Sequence, residues 1–265
     1  MQASIGIYSS LNNAIDDDAF NFITTVGITD STQRSALDTL VKAAKSNGWW
    51  NFCKAIYPFI GGTATTHKYN LKNPQDTDAA FRLVFAGGIT HSSTGVLPNG
   101  VDGDADTFFV MKDNLSNPTT SNHLSEYVRT DVNSGGNVND MGSNWQGNGW
   151  RLEACSADIT QYTANGVQIF NSDGTIRHGM RLGSRISSSD IKLYRNGTSI
   201  GSTSGSYNAE IENLSTHLFQ AINYGGSFTD KEFAFATIGD GVSSTMQADM
   251  YTDIQAFQTT LGRNV

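Results

Sequence analysis

Charge is scarce in this chain: Asp, Glu, Lys and Arg together make up 16 % of its 265 residues, against roughly 25 % in an average soluble protein. Cations are the scarcer sign, with 17 Lys and Arg against 25 Asp and Glu and a net charge of −8. Affinity for phosphate backbones or anionic lipid needs clustered Lys and Arg, so nucleic acid is not an expected partner. Long apolar runs are also missing. None approaches the roughly eighteen residues of a membrane span, and Met1, Gln2, Ala3, Ser4 and Ile5 offer neither the basic region nor the apolar stretch of a signal peptide. Neither membrane insertion nor export is therefore expected. Only two cysteines occur, Cys53 and Cys155, about a hundred residues apart in apolar contexts; they read as buried thiols rather than a disulfide framework or a zinc site. Four prolines and no triplet period exclude collagen.

Small polar residues take the place of charge, with Ser 27, Thr 27, Asn 23 and Gly 27. This is the profile of many short strands joined by turns. Hydrophobic residues at 38 % and aromatics at 10 % are enough for a core, and disorder would need low hydrophobicity with high net charge. Surface scaling at this mass gives roughly 11,000 Å² folded from about 41,000 Å² extended, enough burial for one large domain.

Helical signals sit at the two ends of the chain. Asp16, Asp17 and Asp18 precede Ala19, Phe22, Ile23 and Val26, with Gly27 as the stop. Asp30 and Gln33 have capping-box spacing ahead of Ala36, Leu37, Leu40, Val41 and Ala44, and Gly48 ends that helix. Ser244 and Gln247 open a third, carried by Met246, Met250, Ile254, Phe257 and Leu261. Between about residues 50 and 240 the period moves towards two. Ala80 to Phe85, His123 to Arg129, Trp150 to Cys155 and Phe233 to Ile238 read as strands. One hairpin is expected around Asn196-Gly197 and another across Ser172-Asp173-Gly174 from Val167–Asn171 to Thr175–Met180, because such pairs tolerate the positive φ of primed turns. The fold class predicted is mainly β, a two-sheet antiparallel sandwich with helices at both ends. Its parts are an N-terminal arm with helices over 1–48, the sandwich over 49–242 and a C-terminal helix over 243–265 packed on it, forming one structural domain. Ile5, Ile7, Tyr8 and Leu11 form a short apolar stretch that docks either on a neighbouring subunit or on its own chain.

The hairpin Ile191-Lys192-Leu193-Tyr194-Arg195-Asn196-Gly197-Thr198, followed by Ile200-Gly201-Ser202, resembles the laminin-G-like and concanavalin A-like lectin/glucanase sandwiches. Two longer blocks carry a more specific likeness. One spans residues 29 to 91, through Trp49-Trp50, Lys54-Ala55-Ile56-Tyr57-Pro58-Phe59-Ile60-Gly61-Gly62-Thr63, Lys68-Tyr69-Asn70-Leu71 and Ala79-Ala80-Phe81-Arg82-Leu83. The other spans 234 to 265, through Ala236-Thr237-Ile238-Gly239-Asp240-Gly241, Tyr251, Gln255-Ala256-Phe257-Gln258-Thr259 and Leu261-Gly262-Arg263. These blocks resemble a group of tailed-bacteriophage virion proteins with relatives encoded in Bacteroidetes genomes. The resemblance implies a concanavalin A-like jelly roll in a phage particle: a tail or head fibre subunit, a capsid decoration protein or a receptor-binding part. It would be made in the host cytoplasm, placed in the virion as a homo-oligomer among other virion proteins, and present a surface to host glycans.

Sandwich glucanases take their paired carboxyl groups from one strand with the spacing E-x-D-x-x-E, and retaining hydrolysis needs them about 5 Å apart. That string is absent here. Glu210 and Glu212 share a strand face, which reads equally as a solvated edge. A non-enzyme is therefore expected. A polysaccharide-degrading enzyme remains the alternative if two of Glu126, Glu153, Glu210 and Glu212 converge at about 5 to 10 Å beside exposed aromatics. A purely architectural capsid or tail component is the other.

No cofactor is implied except calcium. Asp102, Asp104 and Asp106 alternate and Asp113 follows, a set of hard oxygen ligands such as a calcium loop begins with. Thr107 stands where the EF-hand has glycine, and a polar turn entering a strand explains the same residues. For glycans the informative stretch is Gly142 to Trp150. Sugars combine apolar C–H faces with hydroxyls, and Trp145 beside Asn144, Gln146 and Asn148 in a Gly-rich loop offers the matching parts. Trp150 reads as core by strand alternation, and Trp49 and Trp50 as packing the second helix onto the sheet.

Overall fold

A computed structural model describes residues 14–132, 138–143, 149–154, 159–172, 177–205, 211, 213–221 and 228–265. The chain opens with helices α1 (Asp17–Val26) and α2 (Ser31–Ser46). Their first turns are capped by aspartates, since the Asp16 carboxylate accepts from the Asp18 N–H and the Asp30 carboxylate from the Gln33 N–H, satisfying amides that lack a partner within the helix. Gly48, at φ 83°, swings the chain into a 3-10 turn, Trp49–Asn51, a left-handed conformation that glycine adopts without a Cβ penalty. Then come β1 (Cys53–Tyr57), the single-turn α3 (Ala64–His67), a 3-10 turn at Asp78–Ala80, and strands β2 (Val84–Ala86), β3 (Ile89–Ser92), β4 (Gly95–Pro98) and β5 (Asp104–Val110). The single-turn α4 (Met111–Asn114) leads to β6 (Asn122–Val128), β7 (Met141–Gly142), β8 (Trp150–Ala154), β9 (Ile159–Ala164) and β10 (Val167–Ser172). After β11 (Gly179–Ser187), β12 (Asp190–Arg195), β13 (Thr198–Thr203), β14 (Ser215–Leu218) and β15 (Phe233–Gly239), the fold closes with α5 (Ser244–Thr260).

Among the described residues the strands form two antiparallel sheets. The first runs β13-β12-β11-β6-β15-β4-β3, with β1 also paired to β15, and the second runs β10-β9-β8-β7-β14-β5-β2. This is the two-sheet sandwich with terminal helices that period and composition predict. The Asn196-Gly197 turn, at φ 47° and 78°, closes the β12–β13 hairpin as expected. The hairpin expected across Ser172-Asp173-Gly174 does not form, because β10 pairs with β9 whereas β11 lies in the other sheet between β6 and β12. Asn165-Gly166, at φ 47° and 77°, makes the primed turn instead and pairs β10 back onto β9. The strand expected from Ala80 is shortened to Val84–Ala86, since Asp78–Ala80 forms a 3-10 turn and Phe81 follows at φ 58°. The cap of α5 is Ser243, whose hydroxyl accepts from the Met246 N–H, one residue earlier than Ser244.

Alternation along each strand divides the apolar residues between two cores. Leu124 and Val128 of β6, Trp150 and Leu152 of β8, and Tyr162 of β9 meet between the sheets. Tyr127, Met180, Leu182, Tyr194 and Phe235 point the other way, into a second core roofed by α1, α2 and α5. Trp49 and Trp50 belong to that roof contact, and the rings of Phe235 and Phe257 meet edge to face at 5.8 Å. Arg263 ties the roof to the sheet. Its buried guanidinium donates to the Phe59, Pro58 and Ala234 carbonyls and to Gln258 Oε1, and burial pushes its pKa down to about 9. Four phenylalanines, Phe59, Phe81, Phe108 and Phe219, hold left-handed φ values of 44° to 75°.

Candidate functional site

The outer face of the second sheet is built from the residues that alternate with its core positions. In β5, Ala105 is buried against the core, so Asp104 and Asp106 point outward. Opposite them, His217 of β14 pairs with Asp106 on one side and with Gly142 of β7 on the other. Gly142 in turn pairs with Arg151 of β8, which pairs with Thr163 of β9. Arg151, Glu153, Gln161 and Thr163 thus share the outward face, because Trp150, Leu152 and Tyr162 occupy the inward one.

These side chains hold one another. His217 Nδ1 lies 2.7 Å from Asp104 Oδ1, and its Nε2 lies 3.2 Å from Ser215 Oγ and 3.6 Å from Asp106 Oδ1. Asp106 also accepts from the Phe108 N–H at 2.8 Å. Arg151 is ion-paired with Glu153, and Gln161 Nε2 donates to Thr163 Oγ1 at 3.0 Å. All four residues of that second group are under 6 % exposed. From beneath, the Trp150 indole N–H donates to Thr216 Oγ1 and the Thr107 hydroxyl to the Thr216 carbonyl, fixing β14 against β8 and β5. The result is a preset array of donors and acceptors on a rigid sheet. The order Ser215, His217, Asp104 has the base and orienting acid of a nucleophilic triad. Asp106, however, sets a second carboxylate beside the same Nε2, and an anion there opposes negative charge building on a reacting oxygen. The cluster is better suited to holding hydroxyl groups than to activating one.

The four calcium candidates are placed apart. Asp102 lies in the loop before β5, where it accepts from the Gly88 N–H and from Asn99 Nδ2, contacts that hold its carboxyl below the usual range. Asp104 and Asp106 engage His217, and Asp113 sits exposed in α4. The four acids are therefore split between a loop, a sheet face and a helical turn. Among the described residues no group of three or more His, Cys, Asp and Glu is placed to hold a metal. The glycan candidates Asn144, Trp145, Gln146 and Asn148 lie outside the described residues, as do Cys155, Glu210 and Glu212. The described residues on either side of 144–148 end β7 at Gly142 and begin β8 at Trp150.

The two described acids of the enzyme alternative do not converge. Glu126 lies between the sheets with Leu124 and Val128, 3.8 Å from Arg181, while Glu153 faces outward on the other sheet. Glu126 is 1 % exposed; burial, then the Asp140 charge, pushes its carboxyl well above the usual range. Asp140 is paired with Lys231 at 2.8 Å, both fully buried. These charges sit inside the sandwich and line no described cleft.

His217, Arg151 and Ser215 were missed by sequence reasoning, although a signal exists. Ser215-x-His217, Asp104-x-Asp106 and Arg151-x-Glu153 are each polar pairs at strand spacing, three short stretches with one polar face.

No protein-family model matches this chain, and no curated protein matches it by sequence. Solved structures do. A Trypanosoma rangeli sialidase mutant displaying trans-sialidase activity aligns over 82 % of this chain and 39 % of its own, at 10 % identity and TM-score 0.53. Botulinum neurotoxin type C, whose cell entry depends on interaction with two ganglioside molecules, aligns over 78 % of this chain and 53 % of its own, at 12 % identity and TM-score 0.52. The binding domain of botulinum neurotoxin serotype D aligns over 76 % and 52 %, at 11 % identity and TM-score 0.50. The chain thus spans about two fifths of the sialidase and about half of each toxin chain. At such identities the likeness establishes the β-sandwich fold.

Proposed function

We propose that this chain is a glycan-binding β-sandwich of a bacteriophage virion, incorporated as a homo-oligomer in a tail fibre, head fibre or decoration layer. The observation that carries the glycan reading is the polar outer face of the second sheet, where His217 is held between Asp104 and Asp106 and Arg151 is paired with Glu153. Hydroxyl-rich ligands need donors and acceptors already fixed in place, since ordering them on binding costs affinity. In this reading Trp145 supplies an aromatic face and Asn144, Gln146 and Asn148 supply amides. Ganglioside interaction by a sandwich-containing toxin supports the ligand class by analogy only. The virion placement rests on the blocks 29–91 and 234–265. In the structure these are neighbours, with α2 against α5, β1 paired to β15 and Arg263 bridging both. Single lectin sites are weak, and repetition on a particle raises avidity through effective concentration.

A glycan array probed with the purified chain, His217→Ala and Trp145→Ala tests the ligand, and protein analysis of purified particles tests the placement. The expected result is a retained glycan set lost in both variants and the chain in the particles. Glycans held equally by all three proteins refute the site. A chain found in particles that retains no glycan is an architectural component, and absence from particles refutes the virion role.

A further inference from the structure

A second candidate site is built around β1 of the first sheet. Between the Trp49–Asn51 turn, β1 and the residues before β2 is a groove of about 350 Å³ lined by Asn51, Lys54, Asn70, Lys72, Asn73 and Phe81. That volume lies within the range of small-ligand sites. Among the described residues no Asp or Glu lines the groove, in a chain of net charge −8.

The loop that presents Lys72 and Asn73 is fixed by Asn70. Its Oδ1 accepts from the Ile56 and Lys72 N–H groups, and its Nδ2 donates to the Lys54 and Ala80 carbonyls. All of its amide hydrogen-bonding groups are engaged within the protein, which leaves Asn70 a structural pin and frees its neighbours for contact. The Lys72 ammonium donates to the Trp50 carbonyl at 2.9 Å and sits 3.8 Å over the Trp50 ring. A carbonyl and a π face hold a cation without neutralising it. Among the described residues no carboxylate pairs with Lys72, whereas the neighbouring Lys54 is paired with Asp240 at 2.9 Å. Burial pushes the Lys72 pKa down to about 8, the mark of an ammonium short of water. At the rim, the side-chain amides of Asn51 and Asn73 have no protein partner among the described residues, and half-buried Phe81 is held in place edge to face against Phe109 at 4.9 Å.

We infer that this groove binds a carboxylate-bearing saccharide, with the carboxylate on the Lys72 ammonium, hydroxyls on the Asn51 and Asn73 amides, and a C–H face on Phe81. The assignment is independent of the His217 face, which lies on the other sheet. It names an acidic sugar because the groove supplies a cation without a counter-ion, neutral amides for hydroxyl groups and an apolar surface. A sulfate or phosphate site would need only the first of these.

The test is NMR titration of the full chain with N-acetylneuraminic acid, glucuronic acid, glucose and inorganic phosphate, repeated with Lys72→Met, Asn73→Ala and His217→Ala. Shifts at Asn51, Asn73 and Phe81 are expected with an acidic sugar, at affinities in the millimolar range. Lys72→Met is expected to weaken binding by about tenfold or more, the worth of one charge-assisted hydrogen bond. Asn73 is exposed, so Asn73→Ala keeps the fold and is expected to weaken binding severalfold, while His217→Ala leaves it unchanged. Acidic-sugar binding that survives Lys72→Met in a folded protein overturns the assignment. So does equal response to phosphate, to glucose, or to no ligand at all. Loss in His217→Ala alone would move the acidic sugar to the sheet face, ending this inference and leaving the proposed function standing.

Discussion

The two sheets of this sandwich share one core and differ in what lies against their outer faces. Outside the first sheet, Tyr127, Met180, Leu182, Tyr194 and Phe235 meet a roof of α1, α2 and α5. Outside the second, Asp104 and Asp106 meet His217, Arg151 meets Glu153, and Gln161 meets Thr163. Burial does not divide the same way: all seven residues of β6 are buried, β5 alternates between buried and partly exposed positions, and Arg151, Glu153, Gln161 and Thr163 of the second sheet are under 6 % exposed. The apolar outer face is completed by the chain's own helices. A face of mutually bonded polar groups retains lone pairs and protons that a hydroxylated ligand can use. The contrast therefore separates a helix-covered apolar face from a polar one.

The sharpest way to break that division is to cut into the roof. Phe235→Ala removes a buried ring from the first sheet's outer core and is expected to cost about 3–5 kcal/mol in urea unfolding, with glycan retention unchanged at temperatures where the protein stays folded. Loss of binding in parallel with packing would show that the two sides are coupled.

Acid distinguishes the sides next. His123 is buried on the roofed side, its Nδ1 2.6 Å from the Asp240 carbonyl and its Nε2 3.0 Å from Thr237 Oγ1, and burial pushes its pKa down to about 4. The unfolded chain therefore takes up a proton that the folded one refuses as pH falls from about 6.5 towards 4. Stability is present above that window and falls through it, by roughly 3 kcal/mol from this residue. His67, pushed down to about 3, acts in the same direction. Glu126 acts against them, since its raised pKa lets the folded state hold a proton longer. Denaturation from pH 7 to pH 4.5 in His123→Gln is expected to show a shallower loss than in the parent; an unchanged slope would remove His123 as the cause.

The smallest stability effect belongs to the polar face. His217→Ala deletes a hydrogen bond to Asp104 and one hydroxyl contact, so about 1 kcal/mol is expected in unfolding. A loss of several kcal/mol would make the cluster structural first.

Local signals made the first side legible. Capping residues and apolar spacing located α1 and α2, and the Asn-Gly turn located β12–β13, because each depends on a few neighbouring residues. Errors came where distant segments decide. Ser172-Asp173-Gly174 has turn chemistry, but β9 offered β10 a nearer partner through Asn165-Gly166. The aspartate run from Asp102 has the spacing of a cation loop, but in a strand the same spacing sets Asp104 and Asp106 on one face, where His217 meets them across 113 and 111 positions of sequence. Sheet order supplies that contact, and sheet order is written in no local window. The Lys72 groove was hidden likewise, since only the Asn70 pin brings residues 51, 54, 73 and 81 to one rim.

The phenylalanines at left-handed φ set a constraint on how this protein can vary. Such a backbone costs an L-residue about 1–2 kcal/mol, while a buried aromatic ring returns about 1.5–3 kcal/mol plus a further 0.5–1.5 for an edge-to-face partner. Phe59 with His67 and Phe219 with Phe233 have such partners, so the ring outweighs the twist. Glycine relaxes the backbone and empties the space, and any smaller L-residue keeps the strain and empties it as well. Each such position is thereby a mutational dead end with no neutral exit, so substitutions should accumulate elsewhere on the strand surfaces long before they reach these positions.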